Sequence, residues 1–326
     1  MTMAALWMDD DMQTLEHVSV MPNEMTQAIA PRPNGLYVDA TLGAGGHTLS
    51  LLEACADIRV IAFDRDEVAL GAAAERLQSF ADRVTYVHAT YDQIPARLAE
   101  LGIEAVDGLM ADLGISSLQL DQAERGMSFR FAGPIDMRMD QTDGETALEL
   151  IERMEQDELA NLIFELGEER ASRRIARCIK QSQERGELAT TLDLRRAVVR
   201  AVGPRRVGGV DPATRTFQAL RIAVNGELEQ LDRMLGFLPA IMAEEGVASI
   251  LSFHSLEDRR VKRAFLDRGV WQRLTKKPLT ASADEQHRNP RSRSAKLRAV
   301  RRLSEDMDFV EDGFDGESPL PPEVVR

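Results

Sequence analysis

From residue 36 onward, short apolar runs alternate with segments of helical period. The pattern predicts strand 36–40, a helix over about 46–55, strand 59–63, helix 66–79, strand 83–89, a short helix 93–101 and strand 105–111. Runs of this length separated by helices imply a parallel sheet covered on both faces, an α/β fold of the doubly wound, Rossmann-like kind. The rhythm breaks at Gln119. Residues 124–144 read as an irregular loop holding Gly126, Gly133-Pro134 and Gly144, with Arg125, Arg130 and Arg138 among them. Helical faces follow: Leu159, Leu162, Ile163 and Leu166 keep one stripe, as do Leu194, Ala197, Val198 and Ala201. Asp211 caps and Pro212 opens a further stripe through Phe217, Leu220, Val224, Leu228 and Leu231. The sheet resumes at 247–255, followed by a helix over 256–266. The chain therefore reads as a sheet domain over 17–118 and 226–302, interrupted by a helical insert over 119–225.

Ligands of such sheets bind beyond the carboxyl ends of the strands. Those ends carry Gly43 to His47, then Asp64, Tyr91 and Asp112 to Ser117. Gly43, Gly45 and Gly46 allow a tight turn and close backbone approach, and the helix after them offers unpaired N–H groups. Asp64, 25 residues beyond Asp39, stands where such folds place a carboxylate for ribose hydroxyls. Thr48 breaks the G-x-G-x-x-G spacing of a dinucleotide site. An acid, then glycines, then a ribose acid suits S-adenosylmethionine better than NAD. Asp112 ends an apolar strand, where a carboxylate without a partner is costly. Tyr91 faces the rim or is a surface aromatic; His254, at the end of the later strand, faces substrate or is a satisfied core histidine. His17 to Glu24 reads as a lead-in loop.

The 326 residues exceed one average domain, and the 44% hydrophobic fraction sustains a packed core. No apolar run approaches a membrane span, and Asp9-Asp10-Asp11 interrupts the N-terminus where a secretory signal would be apolar. A cytoplasmic location without membrane contact is the expectation. Cys55 and Cys178 lack partners nearby, and the five histidines are dispersed, so neither a disulfide nor a metal site is expected.

The net charge of −14 would oppose a nucleic-acid partner, but its distribution changes the inference. Residues 1–16 and 303–326, both read as disordered acidic tails, carry −11 of it. The remainder is nearly neutral. Arg205 to Gly209 could track phosphates or be a loop without function. Residues 287–302 contain no acid and suit a phosphate track. Arg173, Arg174, Arg177 and Lys180 read as a solvated face paired with Glu168 and Glu169.

Taken in order, several strings resemble the bacterial small-subunit ribosomal RNA cytosine N4-methyltransferase family, also called the MraW or RsmH family. They are the Gly-x-Gly-Gly-His turn at 43–47, Asp112-Leu113-Gly114-Ile115-Ser116-Ser117 with Gln119, Ala123-Glu124-Arg125-Gly126, and Asp136-Met137-Arg138-Met139-Asp140. Pro212 to Ala219, Ser252 to Arg259 and Asn289 to Ser294 complete the set. The resemblance runs from about His17 to Arg298. It implies a class I S-adenosylmethionine-dependent methyltransferase domain with an inserted all-helical recognition domain. It also implies methylation of a cytosine in the decoding region of 16S ribosomal RNA within the small subunit. Cofactor contacts fall on Gly45, Gly46, His47, Asp64, Tyr91, Asp112 and Gln119; Tyr91 stands where the family usually has Phe, Leu118 where it has Pro and Asp211 where it often has His.

Asp112 and His254 are the catalytic candidates, and Arg215, Arg221, Arg291 and Arg293 the RNA-gripping ones. Homodimer formation is left open. Two other readings compete: a nicotinamide oxidoreductase, which the glycine spacing disfavours, and a non-catalytic ribosome-assembly RNA binder, which would bind RNA without methyl transfer.

Overall fold

A computed structural model describes residues 19–204 and 210–304. His17, Val18, the Arg205 to Gly209 loop and nearly all of both acidic tails lie outside the described residues. The strands are β1 Leu36–Asp39, β2 Arg59–Asp64, β3 Val84–His88, β4 Val106–Asp112, β5 Met242–Ser252, β6 Trp271–Arg273 and β7 Lys296–Arg302. They form one seven-stranded sheet in the order β3-β2-β1-β4-β5-β7-β6. The first five run parallel, and β7 is antiparallel to both its neighbours. The order reverses between β1 and β4, which opens a crevice above their carboxyl ends.

Both faces of the sheet's centre are buried, which is why β1, β2 and β4 read as nearly unbroken apolar runs, whereas in the edge strand β3 only Val84 is buried. Successive side chains alternate: Tyr37, Val60 and Ala62 enter one core layer with Met25, Leu51 and Leu52, while Val38, Ile61 and Phe63 enter the other with Ile94, Leu98 and Leu238. Fully buried Phe63 illustrates the stake, since truncating such a ring to Ala costs about 3–5 kcal/mol.

Between β4 and β5 a third core forms from helices together with the loop residues Met127, Ile135 and Met137. Helices Ala147–Arg153, Gln156–Gly167, Ser172–Glu184, Thr191–Val202 and Thr214–Asn225 bury Ile151, Leu159, Ile163, Ile175, Leu194, Val198 and Leu220 together. Thr146 with Glu149 and Thr190 with Asp193 form capping boxes at the starts of Ala147–Arg153 and Thr191–Val202, each satisfying first-turn N–H groups.

Four expectations need correction. The stripe through Phe217 to Leu231 is not one helix, because Gly226 in the left-handed region (φ 59°) divides Thr214–Asn225 from Glu227–Ile241. The first of these starts at Thr214 rather than Pro212; Asp211 Oδ1 accepts from the Ala213 N–H at 3.0 Å, one turn early, and its carboxylate also pairs with Arg195. The lead-in loop is helical from Pro22 to Ile29, entered through Met21 with φ 51° and no capping side chain. Finally, Glu168 pairs with Arg259 at 2.9 Å and meets Ser255, rather than the arginines of its neighbouring helix.

Candidate active site

The glycine turn is built by its neighbours. Buried Asp39 receives the Thr48 hydroxyl at 2.6 Å and the Thr41 N–H at 3.1 Å, stapling the end of β1 to the helix Gly46–Ala54. Gly43 takes φ 52° and donates its N–H to Asp64 Oδ2 at 2.7 Å; Asp66 N–H reaches the other oxygen at 2.8 Å. Burial pushes the Asp64 carboxyl up to about 6, against these two donors. At Gly46 a Cβ would collide with Ser19 Oγ, so the turn must be bare there for residue 19 to lie across it.

Above this turn is a cavity of about 510 Å³, within the usual size of a small-molecule site. Side chains of all three cores meet in its wall: Leu42 and Phe253 from one layer, Leu113 and Leu231 from the other, Met127 and Phe217 from the helical core. Of the residues expected to hold a cofactor, Gly46, His47, Asp64, Tyr91, Asp112 and Gln119 line it. Gly45 does not; an added Cβ there would press on Ala73 and Leu77 at 3.2 and 3.1 Å, so its bareness serves helix packing.

His47 donates from Nε2 to Asp112 Oδ2 at 3.2 Å. Burial works against protonation of His47, but the Asp112 carboxylate beside it outweighs this and holds its pKa above the ordinary value. His47 Nδ1 and Asp112 Oδ1 are both buried without a hydrogen-bond partner. Such orphans call for an explanation, and in a cavity wall a ligand supplies it. Tyr91 closes the far side, its hydroxyl donating to the Glu227 carbonyl at 2.9 Å; burial raises its pKa. An ionised acceptor at Asp64, an aromatic face at Tyr91 and the two orphans fit a nucleoside ligand bearing an amino-acid group.

Gln119 is fixed from both ends, donating from Nε2 to Asp66 Oδ2 at 2.9 Å and accepting the Ser116 N–H at 3.2 Å. The same Asp66 oxygen takes Arg125 Nη2 at 2.6 Å, and Arg125 also donates to the Met139 carbonyl at 2.6 Å. Both charges are buried, with side chains 4% and 5% exposed, so this pair carries the loop on the cavity's roof. Sequence reasoning passed over Arg125 as one of several loop arginines; its link to Asp66 spans 59 residues and leaves no local trace.

The RNA-gripping candidates separate. Arg221 lies in the wall, but both oxygens of Glu227 hold it at 2.7 and 2.8 Å. Arg215 is exposed, donates to the Glu168 carbonyl at 3.2 Å and does not line the cavity. Arg291 stands at the cavity wall beside Asp121 at 3.2 Å, and Arg293 is exposed outside it. His254 does line the cavity, together with Glu257, which sequence reasoning did not single out. Among the described residues, Glu227, His254 and Glu257 bring a possible ligand atom each within 4.8 Å of one another. Arg221 already occupies both oxygens of Glu227 there. No helix among the described residues is long and apolar enough to cross a membrane.

The chain is similar to a set of curated proteins called ribosomal RNA small subunit methyltransferase H. The one from Sorangium cellulosum is 63% identical over 88% of this chain and 91% of its own length, and one from Synechococcus is 51% identical over 90% and 99%. A solved structure of an rRNA methylase from Streptococcus thermophilus matches loosely, with a TM-score of 0.37 and 12% identity over 86% of this chain and 95% of that one. The sequence model of the MraW methylase family matches residues 14–303, nearly the whole length, and with relatives this similar the chain belongs to that family.

Proposed function

We propose that the protein transfers the methyl group of S-adenosylmethionine to the exocyclic N4 of one cytosine in the decoding region of 16S ribosomal RNA, in the cytoplasm. What carries this reading is the pair of orphaned atoms, Asp112 Oδ1 and His47 Nδ1, set in one cavity with the ribose-type carboxylate Asp64. The relatives' names supply the ribosomal RNA. The sheet over 17–118 and 226–302 is the methyl-transfer domain, and the helical insert over 119–225 presents the RNA.

In this assignment Gly46, His47, Asp64, Tyr91, Asp112 and Gln119 hold the cofactor, with Gly45 shaping the turn. When bound, the cofactor supplies an electrophilic methyl on a sulfonium. The chain's task is to hold the cytosine amine about 3–3.5 Å from that carbon, in line with the bond that breaks. The N4 lone pair is delocalised into the ring, so the amine must be oriented and must lose a proton as the new C–N bond forms and the C–S bond breaks. Asp112 is the acceptor for that proton, and His254 positions the base. No thiol nucleophile is involved: neither Cys55 nor Cys178 lines the cavity. Arg291 and Arg293 grip the backbone of an unstacked strand, with Arg215 farther out, while Arg221 acts through Glu227.

The test uses the full chain, tritiated S-adenosylmethionine and small ribosomal subunits from cells lacking this enzyme, with mass mapping of the labelled nucleotide. Label on one cytosine N4 is the expected result. RNA binding without label on subunits or naked RNA would overturn the proposal and leave an assembly-factor role.

A further inference from the structure

We infer that His254 and Glu257 form a donor–acceptor edge that reads the target base, His254 Nε2–H donating to the ring N3 of cytosine and Glu257 Oε1 accepting from its N4 amine. This rests on the methyl-transfer reading and deepens it.

The tautomer of His254 follows from its place in the fold. It is the cap of the helix Ser255–Ala264, and its Nδ1 accepts the Glu257 N–H at 3.4 Å. In a neutral imidazole the nitrogen that accepts keeps the lone pair, so the hydrogen sits on Nε2. That Nε2 is buried, has no hydrogen-bond partner and belongs to a side chain lining the cavity. Glu257 is equally fixed. Its Oε2 accepts the Phe253 and His254 N–H groups at 2.9 and 3.2 Å, which sets the plane of the carboxylate. Oε1 then stands 3.1 Å from His254 Nε2, beside the ring N–H rather than in line with it. A donor and an acceptor are thus held side by side, one on a side chain 10% exposed and the other on one 3% exposed.

Cytosine offers the complement: a lone pair at N3 next to an amine at C4. Uracil offers N3–H and O4, which would set donor against donor and acceptor against acceptor. Adenine has the same adjacent pair as cytosine on a larger ring, so the cavity's shape must exclude it. Asp112 is paired in register with Leu251, three residues before His254, and the edge and the reacting carboxylate line the same cavity from neighbouring strand ends. One N4 hydrogen goes to Glu257 and the other faces Asp112. A cation is the poorer occupant of this corner, because Arg221 occupies Glu227 and a hydrogen rather than a lone pair is left on Nε2.

The experiment compares small subunits reassembled around 16S RNA whose target nucleotide carries either cytosine or 3-deazacytosine. The second keeps the amine, at least as electron-rich, but replaces N3 by C–H. With the full-length enzyme and saturating S-adenosylmethionine, single-turnover transfer should be about tenfold or more slower on the deaza base, the size of a well-made base contact. His254→Phe keeps the ring and loses the donor; it should transfer slowly and at the same rate to both bases, with cofactor affinity by calorimetry within about twofold of the parent, a shift of under about 0.5 kcal/mol. Equal rates on the two bases with the unmodified enzyme would overturn the inference. No transfer to the cytosine subunit would instead overturn the methyl-transfer reading on which it rests.

Discussion

Asp64 shows how one residue can set a working pH. Its folded pKa of about 6 lies above that of a free carboxyl because the group is buried. A raised carboxyl favours the fold only while protonated: that contribution is complete below about pH 4, and it is lost as pH rises through 6. At neutral pH the ionised Asp64 is therefore strained electrostatically, and ribose hydroxyls donating to it would relieve part of that strain. Cofactor affinity should fall by about tenfold between pH 7 and pH 5 as the acceptor is protonated, read by calorimetry with S-adenosylhomocysteine. Asp64→Asn should bind weakly throughout, with most of that pH dependence gone. A profile as steep in the variant as in the parent would assign the titration to His47 instead.

At the scale of elements, the loop between β4 and the helical core buries Met127, Ile135 and Met137 and is also tied by a buried ion pair and an amide. Arg125 ties Asp66, two residues beyond β2, to the Met139 carbonyl, and Asn225 continues the chain by accepting the Met139 N–H at 2.8 Å and donating to the Met137 carbonyl at 2.7 Å. Arg125→Ala strands the Asp66 carboxylate in the interior, which should cost about 3–5 kcal/mol in urea unfolding and weaken cofactor binding through Gln119. Arg125→Lys should recover only part, since an ammonium cannot span both acceptors as the guanidinium does. A loss under about 1 kcal/mol for the Ala variant would mean the loop is anchored elsewhere. Networks of this sort are where sequence reading runs out. Strands β1, β2 and β4 were legible because burial on both faces writes continuous apolar runs, the edge strand β3 because Val84-Thr85-Tyr86-Val87 are β-branched or aromatic, and Asp64 and Asp112 because polar groups end the apolar runs. The short β6 was not, since Trp271–Arg273 has three residues and gains its strand character only by pairing with β7. Glu257 was hidden for the opposite reason: on the helix Ser255–Ala264 it looks like an ordinary first-turn acid, and only the fold turns its carboxylate toward His254.

For the whole molecule the issue is how a chain of net charge −14 binds a polyanion. The folded part is close to neutral, and the deficit sits at the two ends of the sequence. Arg291 and Arg293 lie on the short helical turn Pro290–Ser294 just before β7, one at the cavity wall and the other exposed. Replacing both by Ala should weaken RNA binding and reduce the slope of log K against log salt by about 1.4, the share of two contacts to a single strand. Cofactor affinity should be unchanged. The acidic ends make a complementary prediction, because like charge near a bound polyanion repels it only within the screening distance, about 10 Å at 0.1 M salt. Removing residues 1–16 and 305–326 should tighten RNA binding at low salt, and the difference from the full chain should vanish as salt approaches 1 M. If the shortened protein instead bound more weakly at every salt concentration, the ends would be contributing contacts of their own, and the near-neutral middle of the chain would not suffice for the RNA.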